Sequence, residues 1–217
     1  WTRTVTYLDE IDSSIYMEKT TLHDKEGEPA EPKNPEKKGY TFTGWARTED
    51  DKGNIVYKAQ WSRTVIYVDA VDETIHVPKT TLTNNQAEPA APADPTKDGY
   101  TFDRWSRTED DKGNITYTAH WTRTVTYLDE IDSSIYMDTT TLHDKEGEPA
   151  APKDPEKKGY TFTKWLRTED DKGNIVYKAQ WSRTVIYVDA VDDTIHYPKT
   201  TLENDQAEPA APADPTN

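Results

Sequence analysis

The chain has 217 residues, a net charge of -15, no cysteine, 33 % hydrophobic residues and a mean hydropathy of -1.01. The acid excess argues against nucleic acid and anionic membrane as partners, because both reward clustered Lys and Arg; the lack of cysteine excludes disulfide bracing, thiol chemistry and thiolate metal sites. So low a hydrophobic content would fit a disordered chain, but 11 % aromatic residues point to thin cores of aromatic and β-branched side chains, and no apolar run approaches membrane-spanning length.

Taken in order, Thr4-Val5-Thr6-Tyr7 alternates apolar and polar residues and reads as a strand. Asp9 to Ser14 is a polar turn, and Ile15-Tyr16-Met17 a short return strand. The segment from Lys19 to Lys38 carries Pro29, Pro32 and Pro35. Prolines at that spacing forbid a long helix and leave room for a single helical turn before Pro29. Gly39-Tyr40-Thr41-Phe42-Thr43-Gly44-Trp45 and Ile55-Val56-Tyr57-Lys58-Ala59-Gln60-Trp61 each alternate with period two. The polar run between them contains Gly53-Asn54, residues that tolerate positive φ, so the pair reads as a β-hairpin with an aromatic inner face.

The hairpin recurs at Gly99 and Gly159, an offset of 60 residues each time, and the chain is therefore a repeat array. Residues 1–60 and 121–180 differ at six positions: 18, 19, 31, 34, 44 and 46. The segment from Trp181 tracks the one from Trp61, differing at 73/193, 77/197, 83/203, 85/205 and 97/217. The larger period is thus a pair of unlike repeats, A-B-A-B, and the near-identity of the A copies points to recent duplication. The expected domains are 1–61, 62–121, 122–181 and a partial repeat 182–217 that stops at Asn217 before its hairpin; a phase beginning at Gly39 is the alternative. The junction Tyr57 to Tyr67 contains neither Gly nor Pro, so the closing strand of one repeat is expected to run into the opening strand of the next. Such a junction makes neighbours stabilise each other: an isolated repeat should melt below the array, and the array should be a monomeric rod about 90–100 Å long.

Several sets of residues are candidates for chemistry. Asp9, Glu10 and Asp12, repeated as Asp129, Glu130 and Asp132, could offer calcium oxygen ligands, but their spacing matches no calcium loop and a solvated turn accounts for them. Asp50 and Asp51, with Asp110, Asp111, Asp170 and Asp171, are better placed in a loop, although turn formation also explains them. Paired acids could serve glycoside hydrolysis, yet every acid repeats and the thin units leave no cleft. No catalytic residue and no cofactor is therefore expected. The five histidines, His23, His76, His120, His143 and His196, have no close metal spacing. Trp45, Trp105 and Trp165 could form a carbohydrate platform, but the end of an aromatic strand face is more simply core. The expected core is Tyr40, Phe42, Trp45, Tyr57 and Trp61; Tyr100, Phe102, Trp105, Tyr117 and Trp121; and Tyr160, Phe162, Trp165, Tyr177 and Trp181. Arg47, Arg107 and Arg167 should stack or pair locally.

The run from Pro92 through Gly99-Tyr100-Thr101-Phe102-Asp103-Arg104-Trp105 to Ala119-His120-Trp121, with the endings Tyr57-Lys58-Ala59-Gln60-Trp61 and Tyr177-Lys178-Ala179-Gln180-Trp181, resembles the Listeria–Bacteroides repeat, or internalin B-repeat. The opening Thr4-Val5-Thr6-Tyr7-Leu8-Asp9-Glu10 looks more like the start of a mucin-binding-protein repeat. The resemblance covers the three complete repeats. It implies a small β-grasp-like fold, here a β-rich α+β class, in bacterial surface proteins where the repeats form stalks or adhesive regions. The expectation is a non-catalytic spacer of a cell wall-anchored adhesin; the absence of cysteine fits a Gram-positive surface better than an animal secretory pathway. Its partners would be the neighbouring repeats; the alternatives are binding of a host glycoprotein or glycan by the repeats themselves, or self-association in biofilm accumulation.

Overall fold

Alternation of β-branched and aromatic residues with Thr, Lys and Arg makes strands of most of the chain, and the computed structural model, which describes residues 1–191, 193–195, 197–211 and 213, is built of strands without a helix among those residues. In chain order they are β1 (Thr2–Asp9), β2 (Ile15–His23), β3 (Thr41–Glu49), β4 (Ile55–Asp69), β5 (Ile75–Thr83), β6 (Thr101–Glu109), β7 (Ile115–Asp129), β8 (Ile135–His143), β9 (Thr161–Glu169), β10 (Ile175–Val185) and β11 (Thr200–Glu203). The chain divides into two units, Trp1–Pro95 with Asp103–His120, and Thr96–Phe102 with Trp121–Asn217. His196 and Asn217 lie outside the described residues.

In the first unit β1 lies between β2, antiparallel from Thr2↔His23 to Leu8↔Ile15, and the first part of β4, parallel from Val5↔Ile55 to Asp9↔Ala59. β3 flanks β4 from Thr41↔Ser62 to Glu49↔Ile55. The first repeat is therefore a mixed sheet of order β2-β1-β4-β3 with a parallel pair at its centre. The second part of β4 starts the same pattern again, pairing with β5 from Ser62↔Thr83 and in parallel with β7 from Val65↔Ile115 to Asp69↔Ala119. In the second unit β7 pairs with β8 and, in parallel from Val125↔Ile175, with β10, which is flanked by β9 and β11.

The expected α+β, β-grasp-like class is overturned: the repeats are all-β. The connection from β2 to β3, where a helix would cross the sheet, stays extended after a tight turn in which Glu26 N–H donates to the His23 carbonyl. Pro29, Pro32 and Pro35 lack the N–H a helix needs and push the residues before them out of the α region. The return strand is also longer than the expected Ile15–Met17, reaching His23.

Each complete repeat has its own core. Val5, Tyr7, Leu22 and Ile55 form the first, with Tyr16, Met17, Trp45 and Tyr57 packed round it; Val65, Tyr67, Leu82 and Ile115, then Val125, Tyr127, Leu142 and Ile175, form the others. Tyr7 stacks on Tyr57 at 4.7 Å between centroids and meets Trp45 edge-on at 5.1 Å. Trp61 is fully buried, with Phe42 and Tyr40 edge-on at 5.6 and 6.4 Å. Trp121 and Trp181 are equally buried, whereas Tyr40, Phe42, Trp45 and Tyr57, and the residues matching them in the next two repeats, are half-buried.

Candidate functional site

β1 ends on Asp9, and the inward alternation of Val5 and Tyr7 carries its side chain into the interior, where the residue is 1 % exposed. One carboxylate oxygen, Oδ1, accepts the backbone N–H groups of Ile11 at 2.7 Å and Asp12 at 3.3 Å. The other, Oδ2, accepts the Trp61 indole N–H at 3.0 Å and the Tyr16 hydroxyl, and the Lys37 ammonium stands 3.3 Å away. One buried carboxylate thus ties together the end of β1, the start of β2, the proline-rich connection and the closing strand. Burial pushes its pKa up, but the donors from Tyr16, Ile11, Asp12 and Lys37 prevail and hold it below the ordinary value. Burial, and then the hydrogen bond to Asp9, push the Tyr16 hydroxyl well up.

The same cluster is built in the third repeat from Asp129, Tyr136, Lys157 and Trp181. In the second repeat Asp69 is as deeply buried, and His76 replaces the tyrosine, its Nε2 3.3 Å from Oδ2. The reading of Asp9-Glu10-Asp12 as a solvated turn therefore fails for its first residue. Asp12 is exposed and pairs with Lys37, and Glu10, half-buried, pairs with Lys58. The signal for Asp9 was the period-two series Val5, Tyr7, Asp9, which places it on the inward face.

Of the calcium candidates, Asp50 builds the hairpin turn. The Asp50 carboxylate accepts the N–H groups of Lys52 and Asn54 at 3.0 and 2.8 Å and the Asn54 amide at 2.9 Å. Asn54 Oδ1 in turn accepts the Thr4 N–H and hydroxyl, both at 3.0 Å. Of the expected Gly-Asn pair, only Gly53 adopts a positive φ (76°); Asn54 is there to clamp the hairpin turn to β1. Asp110 and Asp170 repeat the arrangement, Asp51, Asp111 and Asp171 are exposed, and no group of three or more His, Asp or Glu that could hold a metal occurs among the described residues. Arg47 pairs with Glu28 at 2.9 Å and Glu49 at 2.7 Å, and Glu28 also accepts the Tyr57 hydroxyl, so the proline-rich connection is strapped onto the sheet. Arg107 and Arg167 do the same with Glu88 and Glu148.

Repeats meet through backbone. β4 crosses residues 61 and 62 without a break. Asn84, after β5, accepts the Trp61 N–H on its side chain and donates its own N–H to the Trp61 carbonyl, both at 2.9 Å. Gly39 N–H donates to the Asp111 carbonyl at 3.1 Å, and an ideal Cβ on Gly113 would stand 1.8 Å from the Gly39 carbonyl oxygen. The second unit holds the same contact between Gly99 and the Asp171–Gly173 turn. Beside the Gly39 contact lies an open groove of about 520 Å³ between residues 35–42, Trp61 and the turn residues Asp111 and Lys112.

A repeated sheet with private cores and backbone junctions is a tandem architecture, and comparison with known families gives the same period. A family model described as the Listeria-Bacteroides repeat domain matches three times, over residues 4–71, 63–128 and 124–188. Each match runs past the closing tryptophan into the next opening strand. The chain belongs to the Listeria-Bacteroides repeat family, as an array of three such domains in tandem.

Proposed function

We propose that the chain is a non-catalytic spacer in a bacterial cell-surface adhesin, anchored to a Gram-positive cell wall and holding a binding head away from it. The observation that carries this reading is β4, which is the closing strand of one repeat and the opening strand of the next over fifteen residues, Ile55–Asp69. A junction made of hydrogen-bonded strand resists bending in a way that a flexible linker does not. The clusters at Asp9 and Asp129 support it, because their carboxylates are saturated with donors and serve cohesion rather than proton transfer. The strong negative charge keeps neighbouring arrays apart and soluble. In this reading the domains are 1–61, 62–121, 122–181 and the partial repeat from 182.

The test is small-angle scattering on fragments of one, two and three repeats cut after Trp61, Trp121 and Trp181. A spacer adds a constant increment to the maximum dimension with each repeat, about 25–30 Å for a unit of this size. A maximum dimension that barely changes between two and three repeats overturns the proposal.

A further inference from the structure

The groove beside the Gly39 contact differs from the rest of this acidic surface in what lines it. Tyr40 and Phe42, both half-buried, give it an aromatic floor. Lys38 and Lys112, both among its lining residues, are exposed, and among the described residues their ammonium groups make no ion pair, whereas Lys37 is committed to Asp9 and Asp12. Glu36 and Asp111 line it too, beside Pro35, Thr41 and Trp61. A volume of about 520 Å³ falls in the ordinary range for small-ligand sites, about 300–1,000 Å³.

We propose that this groove binds a carboxylate-bearing sugar unit. Each part of such a ligand has a partner here. The apolar C–H face of a pyranose ring packs on Tyr40 and Phe42. The ring hydroxyls donate to Glu36 and Asp111. The sugar carboxylate sits between the Lys38 and Lys112 ammonium groups, where a neutral sugar would leave both lysines unused. The carboxylates of Glu36 and Asp111 disfavour a bare anion and so select a ligand that also presents hydroxyl donors. The sequence contains its own contrast: in the second repeat Thr96 and Asp98 stand where the first has Glu36 and Lys38, while the third repeat restores Glu156 and Lys158. The site therefore forms where an A repeat meets the turn of the B repeat that follows it; among the described residues it is complete once, the third repeat offering only the wall from Pro155 to Phe162, and weak single-site binding would be multiplied along a longer array. This inference is independent of the spacer role.

The experiment is a titration of the full chain with trigalacturonate, with galactotriose as the neutral probe and acetate as the bare carboxylate, followed by the aromatic ring resonances of Tyr40 and Phe42. Trigalacturonate is expected to shift these signals with saturation, at least tenfold more tightly than galactotriose, and acetate to leave them unmoved. The variant Lys38→Asp with Lys158→Asp places in the A repeats the residue the second repeat already carries, so it should fold; it should weaken trigalacturonate at least tenfold. The proposal is overturned if neither sugar shifts Tyr40 and Phe42, if both sugars bind equally, if acetate reproduces the shifts, or if the lysine variant binds as tightly as the parent.

Discussion

Gly53 and Gly113 occupy the same place in two copies of one hairpin turn, with φ of 76° and 72°. Around Gly53 the nearest atom to an added Cβ is a flexible Glu49 carboxylate oxygen at 3.8 Å; around Gly113 it is the Gly39 backbone carbonyl oxygen at 1.8 Å. Gly53→Ala should therefore cost only the penalty of a left-handed alanine, about 1–2 kcal/mol. Gly113→Ala must also push two backbones apart and break the Gly39 hydrogen bond, and should cost about 2 kcal/mol more. Denaturant unfolding of the two variants measures the difference, and equal losses would show that the contact contributes nothing. The two turns have the same sequence from Thr48 to Asn54 and Thr108 to Asn114, so the difference lies in the Gly39 backbone that the second turn meets and not in the turn itself. The buried Asp9 is the opposite case, since its inward register was visible in Val5 and Tyr7 and was outweighed by the charge of its neighbours.

At the scale of the element, the through-strand β4 was readable because the junction has no Gly or Pro and keeps period two across Trp61. The hairpin and the tryptophan positions were readable for the same reason. The strand order was not, because a parallel pairing such as Val5↔Ile55 joins residues fifty apart through backbone groups that every sequence possesses. The missing helix was half legible: the prolines forbade a long one, and the family resemblance supplied an α+β expectation that the same prolines defeat. The continuity of β4 carries a prediction of its own. Inserting Gly-Gly-Ser between Trp61 and Ser62 leaves both cores intact but separates Trp61 from Asn84 and Gly39 from Asp111. The two-repeat fragment should then unfold in two transitions or with a Tm lower by about 4–8 °C, the shift expected for roughly 1 kcal/mol in a domain of this size. An unchanged single transition in calorimetry would mean that the repeats are not coupled across the junction.

For the whole molecule, electrostatics act in two directions as acid is added. The net charge of -15 is self-repulsive, so protonation relieves strain. Against this, burial raises the Asp9 and Asp129 carboxyls but their donors hold them below their ordinary value, while Arg47 and Arg107 hold Glu28 and Glu88 down. A group whose folded pKa is depressed contributes stability that is present above its unfolded value and lost as pH falls through the folded one. The unfolded values are 4.5 for Glu and 3.8 for Asp, so the loss begins below about pH 4.5 and grows as the aspartates protonate. Because a held glutamate, Glu28, Glu88 or Glu148, recurs in every complete repeat and a held aspartate in the first and third, their loss should prevail over the relief of repulsion, and the Tm should fall steadily below about pH 4.5. Asp9→Asn with Asp129→Asn should lower the Tm at neutral pH, about 2 kcal/mol per site, and flatten the acid limb. A Tm that rises or stays level on acidification would show that repulsion dominates.

The contact between Gly39 and the Asp111–Gly113 turn joins two successive copies of one pattern. Its two halves, a glycine carbonyl and a glycine turn, are present in every complete repeat. Recombination that excises or adds one period therefore leaves each surviving boundary with both halves in place, and gene length can drift without any junction being redesigned. Gain or loss by two periods also keeps the alternation of Lys38, Asp98 and Lys158, whereas a change by one sets like repeats side by side. The unit in which such a gene can lengthen with every boundary unchanged is thus the pair, the same unit whose copies, residues 1–60 and 121–180, differ at only six positions.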